Sequence, residues 1–323
     1  MGEHGCAVVA SPPTPTVWLC PGQGAQKVGM ARDLAERFPE SRAALDAIDD
    51  ALGFKLSRLM FDGPEDELTA TKNAQPAILA HSAAVHAALG AAGATPVAAA
   101  GHSLGEYSAY VTSGALTAPQ AASVVRRRGE LMHEAGTERP GAMAAVLGLA
   151  ASDVEAACQE VSGSTGVAVA ANLNAPDQTV ISGDPETVDK AAAACRARGA
   201  KRVVPLKVSG AFHSPLMAPA ANRLRVILDR APFRDPRFPV LANATGEAVT
   251  TAARARRLLT DQVTAPVRWI DCVEHAARIG GEDTRFVEIG PGSVLTGLLK
   301  RILPGASGIA LGTADEVTKF LEA

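Results

Sequence analysis

Ser103 is the residue whose surroundings most favour nucleophilic chemistry. It lies at the centre of Gly-His-Ser-Leu-Gly (101–105), between an apolar run at 97–100 and a helix predicted over 106–112. This is the G-x-S-x-G pattern of a nucleophile elbow, where a strained strand-to-helix turn holds a serine hydroxyl clear of the main chain. The flanking glycines allow strand and helix to approach closely, and the helix N-terminus favours a developing oxyanion. An ordinary glycine-rich turn is the alternative interpretation.

A serine nucleophile requires a general base, because its hydroxyl is barely ionised at neutral pH. Among the seven histidines, His213 lies in a glycine-bearing loop after a predicted strand, where side chains are commonly presented to a cleft. His102 adjoins Ser103, so we expect its ring to point away from the hydroxyl, although it could contact a substrate. We predict His213 as the base.

Arg128 occupies an unusual place in the helix predicted to begin after Thr117. It falls on the apolar stripe of that helix, three residues from Val125 and Leu131 and four from Val124 and Met132. A guanidinium on an inward face costs several kcal/mol unless an anion meets it. One interpretation is that the guanidinium binds a substrate carboxylate through two parallel N–H···O hydrogen bonds. The other is a structural ion pair with an internal Asp or Glu, or a side chain that snorkels to solvent.

The order of predicted elements indicates an α/β fold built from two domains. We expect a large α/β-hydrolase-like domain, with a parallel sheet and the elbow, from residues 16–137 and 208–323. Between them, residues 138–207 follow a β-α-β-β-α-β order, which predicts a small inserted ferredoxin-like domain. We interpret residues 1–15, which include a Ser/Pro/Thr-rich tract, as a disordered tail.

Composition excludes several classes of protein. A formal net charge of −3 gives no indication of nucleic-acid binding. We expect no signal peptide, because residues 1–16 contain no basic segment followed by a long apolar one, and we expect no membrane span, because no apolar segment has the necessary length. The five cysteines are widely spaced and form no Cys-x-x-Cys or Cys/His cluster, which favours free thiols in a reducing cytosol over disulfides or zinc.

Several motifs together resemble the malonyl-CoA:acyl carrier protein transacylase family, to which the acyltransferase domains of polyketide synthases also belong. The resemblance runs from about residue 16 to about residue 312. The motifs are Pro-Gly-Gln-Gly-Ala-Gln (21–26), Gly-His-Ser-Leu-Gly-Glu-Tyr-Ser-Ala (101–109), Arg-Gly-Glu-Leu-Met (128–132), Asn-Ala-Pro (174–176), Ser-Gly-Ala-Phe-His-Ser-Pro-Leu-Met (209–217) and Glu-Ile-Gly-Pro-Gly (288–292).

The resemblance implies roles for residues that perform the chemistry. Ser103 would take a malonyl group from the coenzyme A thioester, and His213 would act as general base and then general acid. The family orients this histidine through a backbone carbonyl, which matches Gln262 here. The backbone N–H groups of Gln23 and Leu104 would form the oxyanion hole.

Other positions would determine which substrate is accepted. Arg128 would pair with the free carboxylate of malonyl, and His102, Met132 and Asn174 would line the pocket. Phe212 resembles the malonyl-type signature, in which a bulky ring fills the space that an α-methyl group would need. Ordinary core packing is the alternative interpretation of Phe212.

The implied partners are malonyl-CoA, which is a substrate rather than a cofactor, and an acidic acyl carrier protein whose phosphopantetheine thiol receives the acyl group. No metal or other cofactor is expected, and we expect a cytoplasmic monomer. Eight basic residues are candidate contacts for the carrier protein: Arg126, Arg127, Arg196, Arg198, Lys201, Arg202, Lys300 and Arg301.

Three questions stay open at the level of sequence. The chain could serve fatty-acid synthesis or act in trans on a polyketide assembly line, with malonyl or another extender group. A thioesterase-type serine hydrolase shares the elbow, but would have its histidine near the chain end and an HGGG-type loop. A non-enzymatic acyl-binding scaffold would leave the presence of Ser103, His213 and Arg128 unexplained.

Overall fold

The computed structural model describes residues 14–208 and 210–323. Most of the tail predicted over 1–15 therefore lies outside the described residues. The described chain has a mixed α/β fold with a largely parallel sheet and a second sheet, which confirms the predicted fold class at this level. Strands β1–β10 are, in chain order, Thr16–Cys20, Ala98–Gly101, Ala142–Leu147, Ala168–Ala175, Gln178–Gly183, Arg202–Pro205, Val240–Leu241, Ala248–Val249, Arg285–Ile289 and Ser307–Leu311.

Helices surround both sheets. Helices α1–α14 are, in chain order, Arg32–Arg37, Pro39–Leu52, Leu56–Asp62, Glu65–Thr69, Thr71–Ala91, Gly105–Thr112, Ala118–Glu138, Ala151–Val161, Pro185–Ala197, Ala218–Arg230, Ala252–Asp261, Trp269–Gly280, Val294–Ile302 and Ala314–Leu321. A short 3₁₀ turn at Pro215–Met217 precedes α10. No helix in the described part of the chain combines the length and apolar character that crossing a bilayer requires.

The six-stranded sheet carries the elbow near its centre. Its strand order is β10-β9-β1-β2-β7-β8, and all neighbours are parallel except the β7–β8 pair. Strand β2 is buried on both faces: Ala99 packs into one apolar core, and Ala98 and Ala100 into the other. Burial on both faces explains why this strand is a continuous apolar run rather than an alternating one.

The four-stranded sheet is antiparallel and has the order β4-β5-β3-β6. Its strands and the helices between them follow the predicted strand-helix-strand-strand-helix-strand order. Helices α8 and α9 share a small apolar core with one face of this sheet. Strand β4 also bonds to the loop before α12, where the N–H of Val267 donates to the carbonyl of Ala171 at 2.8 Å.

Some elements differ from the sequence prediction. The apolar sequence from Ile78 to Leu89 predicts a helix of that extent, but in the structure this segment is part of the longer α5, which begins at Thr71 and contains Pro76. Helices α3, α4 and α14 and strands β8 and β10 were not predicted. The last of these helices begins with a capping box, because the Thr313 hydroxyl accepts from the N–H of Glu316 while the glutamate side chain accepts from the N–H of Thr313.

Candidate active site

The elbow holds Ser103 in a conformation that few non-glycine residues adopt. Its φ of +51° lies in the left-handed region. A Cβ atom at position 101 would lie 1.9 Å from the carbonyl oxygen of Gly105, and one at position 105 would lie 2.1 Å from the carbonyl oxygen of Cys20. Both contacts are far below van der Waals distance, so the turn requires glycine at each position. Strand β2 and helix α6 can therefore meet closely enough to project the serine.

Asn243, at the end of β7, ties this turn to the sheet. Its Oδ1 accepts from the N–H of Ser103 at 2.7 Å, and its Nδ2 donates to the carbonyl of Gly101 at 2.8 Å. The side chain is fully buried and replaces the main-chain bonds that the strained turn cannot make. Sequence reasoning missed this residue, because a single asparagine after a short strand carries no signal of a contact 140 residues away.

His213 lies against the Ser103 hydroxyl. Its Nε2 is 2.7 Å from Ser103 Oγ, and its Nδ1 is 2.9 Å from the main-chain carbonyl oxygen of Gln262. A carbonyl only accepts, so Nδ1 carries the proton and Nε2 is free to accept from the hydroxyl. Burial, together with the nearby cation of Arg128, lowers the pKa of His213 to about 3. The imidazole is therefore neutral at pH 7, as a general base must be.

Arg128 is buried, with 1% of its surface exposed. Its Nη1 donates to Gln75 Oε1 at 2.7 Å, and its Nη2 donates to Gln262 Oε1 at 2.9 Å and to Ser103 Oγ at 3.1 Å. The guanidinium carbon lies 5.7 Å from the ring centroid of Tyr107. Within 14–208 and 210–323 no carboxylate is at ion-pair distance from Arg128, so the direct structural ion pair considered from sequence is not present.

A fourth buried polar residue, Glu106, lies beneath this arrangement in the first turn of α6. Its Oε2 accepts from the N–H of Asn243 at 3.0 Å and from Gln262 Nε2 at 2.8 Å, while its Oε1 has no partner among the described residues. Burial raises the pKa of Glu106 to about 7, although those two donors and the Arg128 cation act in the opposite direction. Sequence reasoning did not single out this residue.

A cavity of about 520 Å³ opens over Ser103. Its wall includes Gln23, His102, Leu104, Met132 and Phe212, all of which were predicted as site residues. The complete lining is Gln23, Gly24, Gln26, Thr69, Ala70, Thr71, Gln75, His102, Ser103, Leu104, Arg128, Met132, His133, Met143, Asn172, Leu206, Lys207, Val208, Phe212 and His213.

Asn174 is placed differently from the other predicted pocket residues. It is not part of the cavity wall, where Asn172 is found instead. The Oδ1 of Asn174 lies 2.8 Å from Nε2 of His102, so this asparagine reaches the site only through the histidine ring. That ring also packs against Trp269, with centroids 5.5 Å apart. The Nε2 of His102 therefore contacts Asn174, whereas the Ser103 hydroxyl contacts His213 and Arg128.

The loop after β1 presses against the elbow. A Cβ atom at Gly22 would lie 2.6 Å from the carbonyl oxygen of His102, which explains the glycine before Gln23. The side-chain amide of Gln23 donates to Thr71 Oγ1 at 3.3 Å and is thereby held at the cavity wall. Within the described residues, the N–H groups of Gln23 and Leu104 have no hydrogen-bond acceptor, so both can donate to a ligand.

No cluster of three His, Cys, Asp or Glu side chains in the described part of the chain could hold a metal ion. The chemistry that the arrangement can perform is that of a serine activated by a neutral imidazole, beside a buried cation. A substrate with an electrophilic carbonyl and a nearby carboxylate would match these groups.

Comparisons with known proteins identify the family. The sequence model of the family described as the acyl transferase domain matches residues 17–314 of this chain. The malonyl CoA-acyl carrier protein transacylase of Bacillus subtilis (strain 168) is 42% identical over 300 residues, covering 93% of this chain and 94% of the relative. The enzyme of that name from Escherichia coli (strain K12) is 40% identical over 310 residues, covering 96% of this chain and 99% of the relative.

Solved structures give the same result. The acyl-carrier-protein S-malonyltransferase of Burkholderia pseudomallei 1710b has a TM-score of 0.90 and 40% identity, covering 96% of this chain and all of that one. A malonyl-transacylase solved in complex with its type II PKS acyl-carrier protein has a TM-score of 0.91 and 41% identity, covering 95% of this chain and 99% of that one. The chain therefore belongs to the acyl transferase family and, within it, to the malonyl-CoA:acyl carrier protein transacylases.

Proposed function

We propose that this protein transfers malonyl from malonyl-CoA to the phosphopantetheine thiol of an acyl carrier protein through a covalent acyl-serine. The observation that carries this proposal is a buried guanidinium whose partners among the described residues are all neutral oxygens. It lies 3.1 Å from the hydroxyl that a neutral histidine contacts. A site that holds a cation beside a nucleophile suits an acyl group with a second, ionised carboxyl. The names of the relatives support the same activity.

In the first half-reaction, Ser103 Oγ attacks the thioester carbonyl of malonyl-CoA while its proton moves to Nε2 of His213. The carbonyl oxygen becomes an oxyanion that the N–H groups of Gln23 and Leu104 stabilise, each worth roughly 10²–10³ in rate. Collapse of this intermediate breaks the C–S bond. The departing sulfur takes the proton from His213, leaving malonyl-serine and coenzyme A.

In the second half-reaction, the carrier thiol gives its proton to Nε2 of His213 and its sulfur attacks the malonyl-serine carbonyl. The same two N–H groups stabilise the second oxyanion. The C–O bond to Ser103 then breaks, Oγ recovers the proton from the imidazolium, and malonyl leaves on the carrier. This sequence predicts ping-pong kinetics, because coenzyme A departs before the carrier protein reacts.

Selectivity follows from two parts of the cavity wall. Arg128 would bind the malonyl carboxylate with charge-assisted hydrogen bonds. Phe212, buried beside the general base, would occupy the space that the α-methyl of methylmalonyl needs. One unfavourable methyl contact is worth only about 1–3 kcal/mol, so discrimination at Phe212 is incomplete.

The carrier protein is the proposed macromolecular partner. Of the eight basic candidates, four already form ion pairs within the chain: Arg126 and Arg127 with Glu130, Arg198 with Glu160, and Arg301 with Asp177. The exposed residues Arg196, Lys201, Arg202 and Lys300 have no ion-pair partner among the described residues, which leaves their charge available to an acidic partner. We rank these four above the paired ones.

For the architecture, we propose the division into a hydrolase-like domain at 16–137 and 208–323 and a ferredoxin-like domain at 138–207. The parallel order β9-β1-β2-β7 around the elbow and the antiparallel order β4-β5-β3-β6 of the insert support these assignments. We also propose a cytoplasmic location, because free thiols are typical of a reducing compartment. The buried free thiols are Cys20, Cys158, Cys195 and Cys272.

The test of the proposed function is transfer of label from malonyl-CoA. Protein mixed with [¹⁴C]malonyl-CoA should retain label after denaturation, and addition of carrier protein bearing phosphopantetheine should move that label to the carrier. Ser103→Ala should retain none, whereas Ser113→Ala, a buried serine at the end of α6, should label normally. Release of free malonate without carrier labelling would favour a thioesterase, and no label and no turnover would favour a scaffold.

A further inference from the structure

The side chain of Gln262 contacts more of the site than its main-chain carbonyl does. This residue is fully buried just after α11. Its Nε2 donates to the carbonyl of Ser103 at 2.9 Å and to Glu106 Oε2 at 2.8 Å, and its Oε1 accepts from Arg128 Nη2 at 2.9 Å. One amide thus joins the nucleophile's main chain, a buried carboxyl group and the buried guanidinium.

The partners leave only one orientation for this amide. The guanidinium of Arg128 can only donate, so the atom facing it must be the amide oxygen. The Ser103 carbonyl can only accept, so the atom facing it must be the amide nitrogen. Oε2 of Glu106 already accepts a hydrogen bond from the N–H of Asn243, so any proton that this carboxyl group binds is on Oε1. Oε2 therefore remains an acceptor, and the amide atom that faces it must also be the nitrogen. All contacts agree on the same orientation.

The amide also separates the carboxyl group of Glu106 from the guanidinium of Arg128. Glu106 and Arg128 both contact Gln262, but they do not contact each other, because the amide lies between them. A direct buried ion pair would satisfy the guanidinium and compete with an incoming carboxylate. A neutral amide oxygen orients the guanidinium and leaves its positive charge uncompensated at contact distance.

We propose that the Gln262 side chain is a positioning residue that sets the selectivity of the site for acyl groups bearing a carboxylate. It holds Nη2 of Arg128 above Ser103 and keeps Glu106 from pairing with that guanidinium. This inference rests on the proposed function, since it takes malonyl as the acyl group that Arg128 binds. It is separate from the carbonyl contact with His213, because any residue at position 262 supplies a carbonyl.

The test compares two acyl donors in the first half-reaction, so that contacts with a carrier protein do not enter. Rates of Ser103 acylation by malonyl-CoA and by acetyl-CoA are measured by rapid quench for the wild type, Gln262→Glu and Gln262→Met. Both substitutions keep the main-chain carbonyl that orients His213. Gln159→Glu, at an exposed position of α8, is the matched control for adding a charge and should behave as the wild type.

We expect Gln262→Glu to lose about 100-fold or more with malonyl-CoA, because its carboxylate pairs with Arg128, and to lose less than tenfold with acetyl-CoA. Gln262→Met should lose roughly 10- to 30-fold with malonyl-CoA, mainly through a higher KM, and little with acetyl-CoA. Equal losses with both donors would mean that the side chain is only structural and would overturn the proposal.

Glu106→Gln keeps the proposal testable if both Gln262 variants fail to fold. Its amide oxygen can still accept from Asn243 and Gln262, so the geometry persists while the charge is removed. We expect its malonyl preference to be at least that of the wild type, and a loss of preference would overturn the proposal. A wild type with no malonyl preference would instead refute the proposed function itself.

Discussion

Replacing Arg128 with alanine should separate the carboxylate-binding role of this side chain from its effects on the nucleophile. The guanidinium contacts Ser103 Oγ at 3.1 Å and is the second cause, after burial, of the low pKa of His213. It is also the buried cation that faces the cavity without a carboxylate partner among the described residues. The first two effects act on every acyl donor, whereas the third acts only on donors that carry a carboxylate.

The magnitudes differ enough to be measured. A hydrogen bond to a charged group contributes about 1.5–3 kcal/mol, so two such bonds to malonyl correspond to at least about 3 kcal/mol, or at least roughly 10² in kcat/KM. With acetyl-CoA, apart from the change in the His213 pKa, the variant loses the Nη2 contact to Ser103, worth about 1.5 kcal/mol, or roughly tenfold, and this loss is shared by both donors. The ratio of malonyl to acetyl acylation should therefore fall about 100-fold in Arg128→Ala.

The pH dependence provides a second measurement. Removing the Arg128 cation takes away a cause that disfavours the imidazolium, so the pKa of His213 should move up from about 3 toward its ordinary value, while burial still keeps it below that value. Because the base must be neutral, the acidic limb of kcat/KM for acetyl-CoA should move to higher pH in the variant.

The assay is single-turnover acylation with each donor from about pH 2.5 to 8, a range that includes the acidic limb expected for the wild type, with Arg127→Ala as the matched control. Arg127 is on the same helix, but half-exposed and paired with Glu130, so its removal should change neither the ratio nor the acidic limb. Equal losses of malonyl and acetyl acylation in Arg128→Ala would show that the arginine is structural. An unmoved acidic limb would refute the electrostatic link to His213.

Three further predictions follow from the packing and the buried histidines. Phe212→Ser should raise kcat/KM for methylmalonyl-CoA relative to malonyl-CoA by about 10- to 100-fold, since a methyl contact is worth about 1–3 kcal/mol. An unchanged ratio of the two kcat/KM values would mean that Phe212 only packs in the core. Gly105→Ala should lower the melting temperature sharply and abolish acylation, because its Cβ would lie 2.1 Å from a carbonyl oxygen of β1. Gly297→Ala, whose Cβ would meet nothing within 4 Å in α13, should instead stabilise by about 0.5–1 kcal/mol, and similar losses in both variants would contradict the steric argument. Burial lowers the pKa of His81 and of His86 to about 4, whereas both residues have a pKa of about 6.5 in the unfolded chain. Between these two values only the unfolded chain binds the protons. As the pH is lowered from about 6.5 to about 4, the free energy of unfolding should therefore decrease by about 1.4 kcal/mol per pH unit for each histidine. Urea titrations of His81→Gln and His86→Gln across this range should show shallower slopes, and slopes equal to that of the wild type would contradict the prediction.

The elements around the elbow were predictable because their signals are local. The apolar strand, the two glycines and the helix that follow one another at 97–112 specify the turn by steric exclusion alone. The placement of Arg128 could also be inferred, because a cation on an apolar helix face is a conflict that the fold must resolve. The structure places it beside Ser103 and His213, as the carboxylate-binding interpretation requires.

The contacts that support these groups could not be predicted, because they join residues distant in sequence through side chains that look ordinary. Gln75 is separated from Arg128 by 53 residues and lies in a segment whose helix was predicted to begin only after it. Asn243 and Glu106 are single polar residues next to apolar ones, a pattern that occurs at many strand and helix ends. Helix α14 is different, because its capping box was visible in the sequence and could have located it.

The hydrogen bonds between the Asn243 side chain and the strained turn have a consequence for when the active site can form during translation. Translation produces Ser103 long before the amide that holds its N–H, 140 residues later, and before Gln262, 159 residues later. A growing polypeptide therefore has the hydroxyl but nothing to keep it in the left-handed conformation. Reactivity toward thioesters should therefore arise only after Asn243 and Gln262 have left the ribosome and packed against the turn.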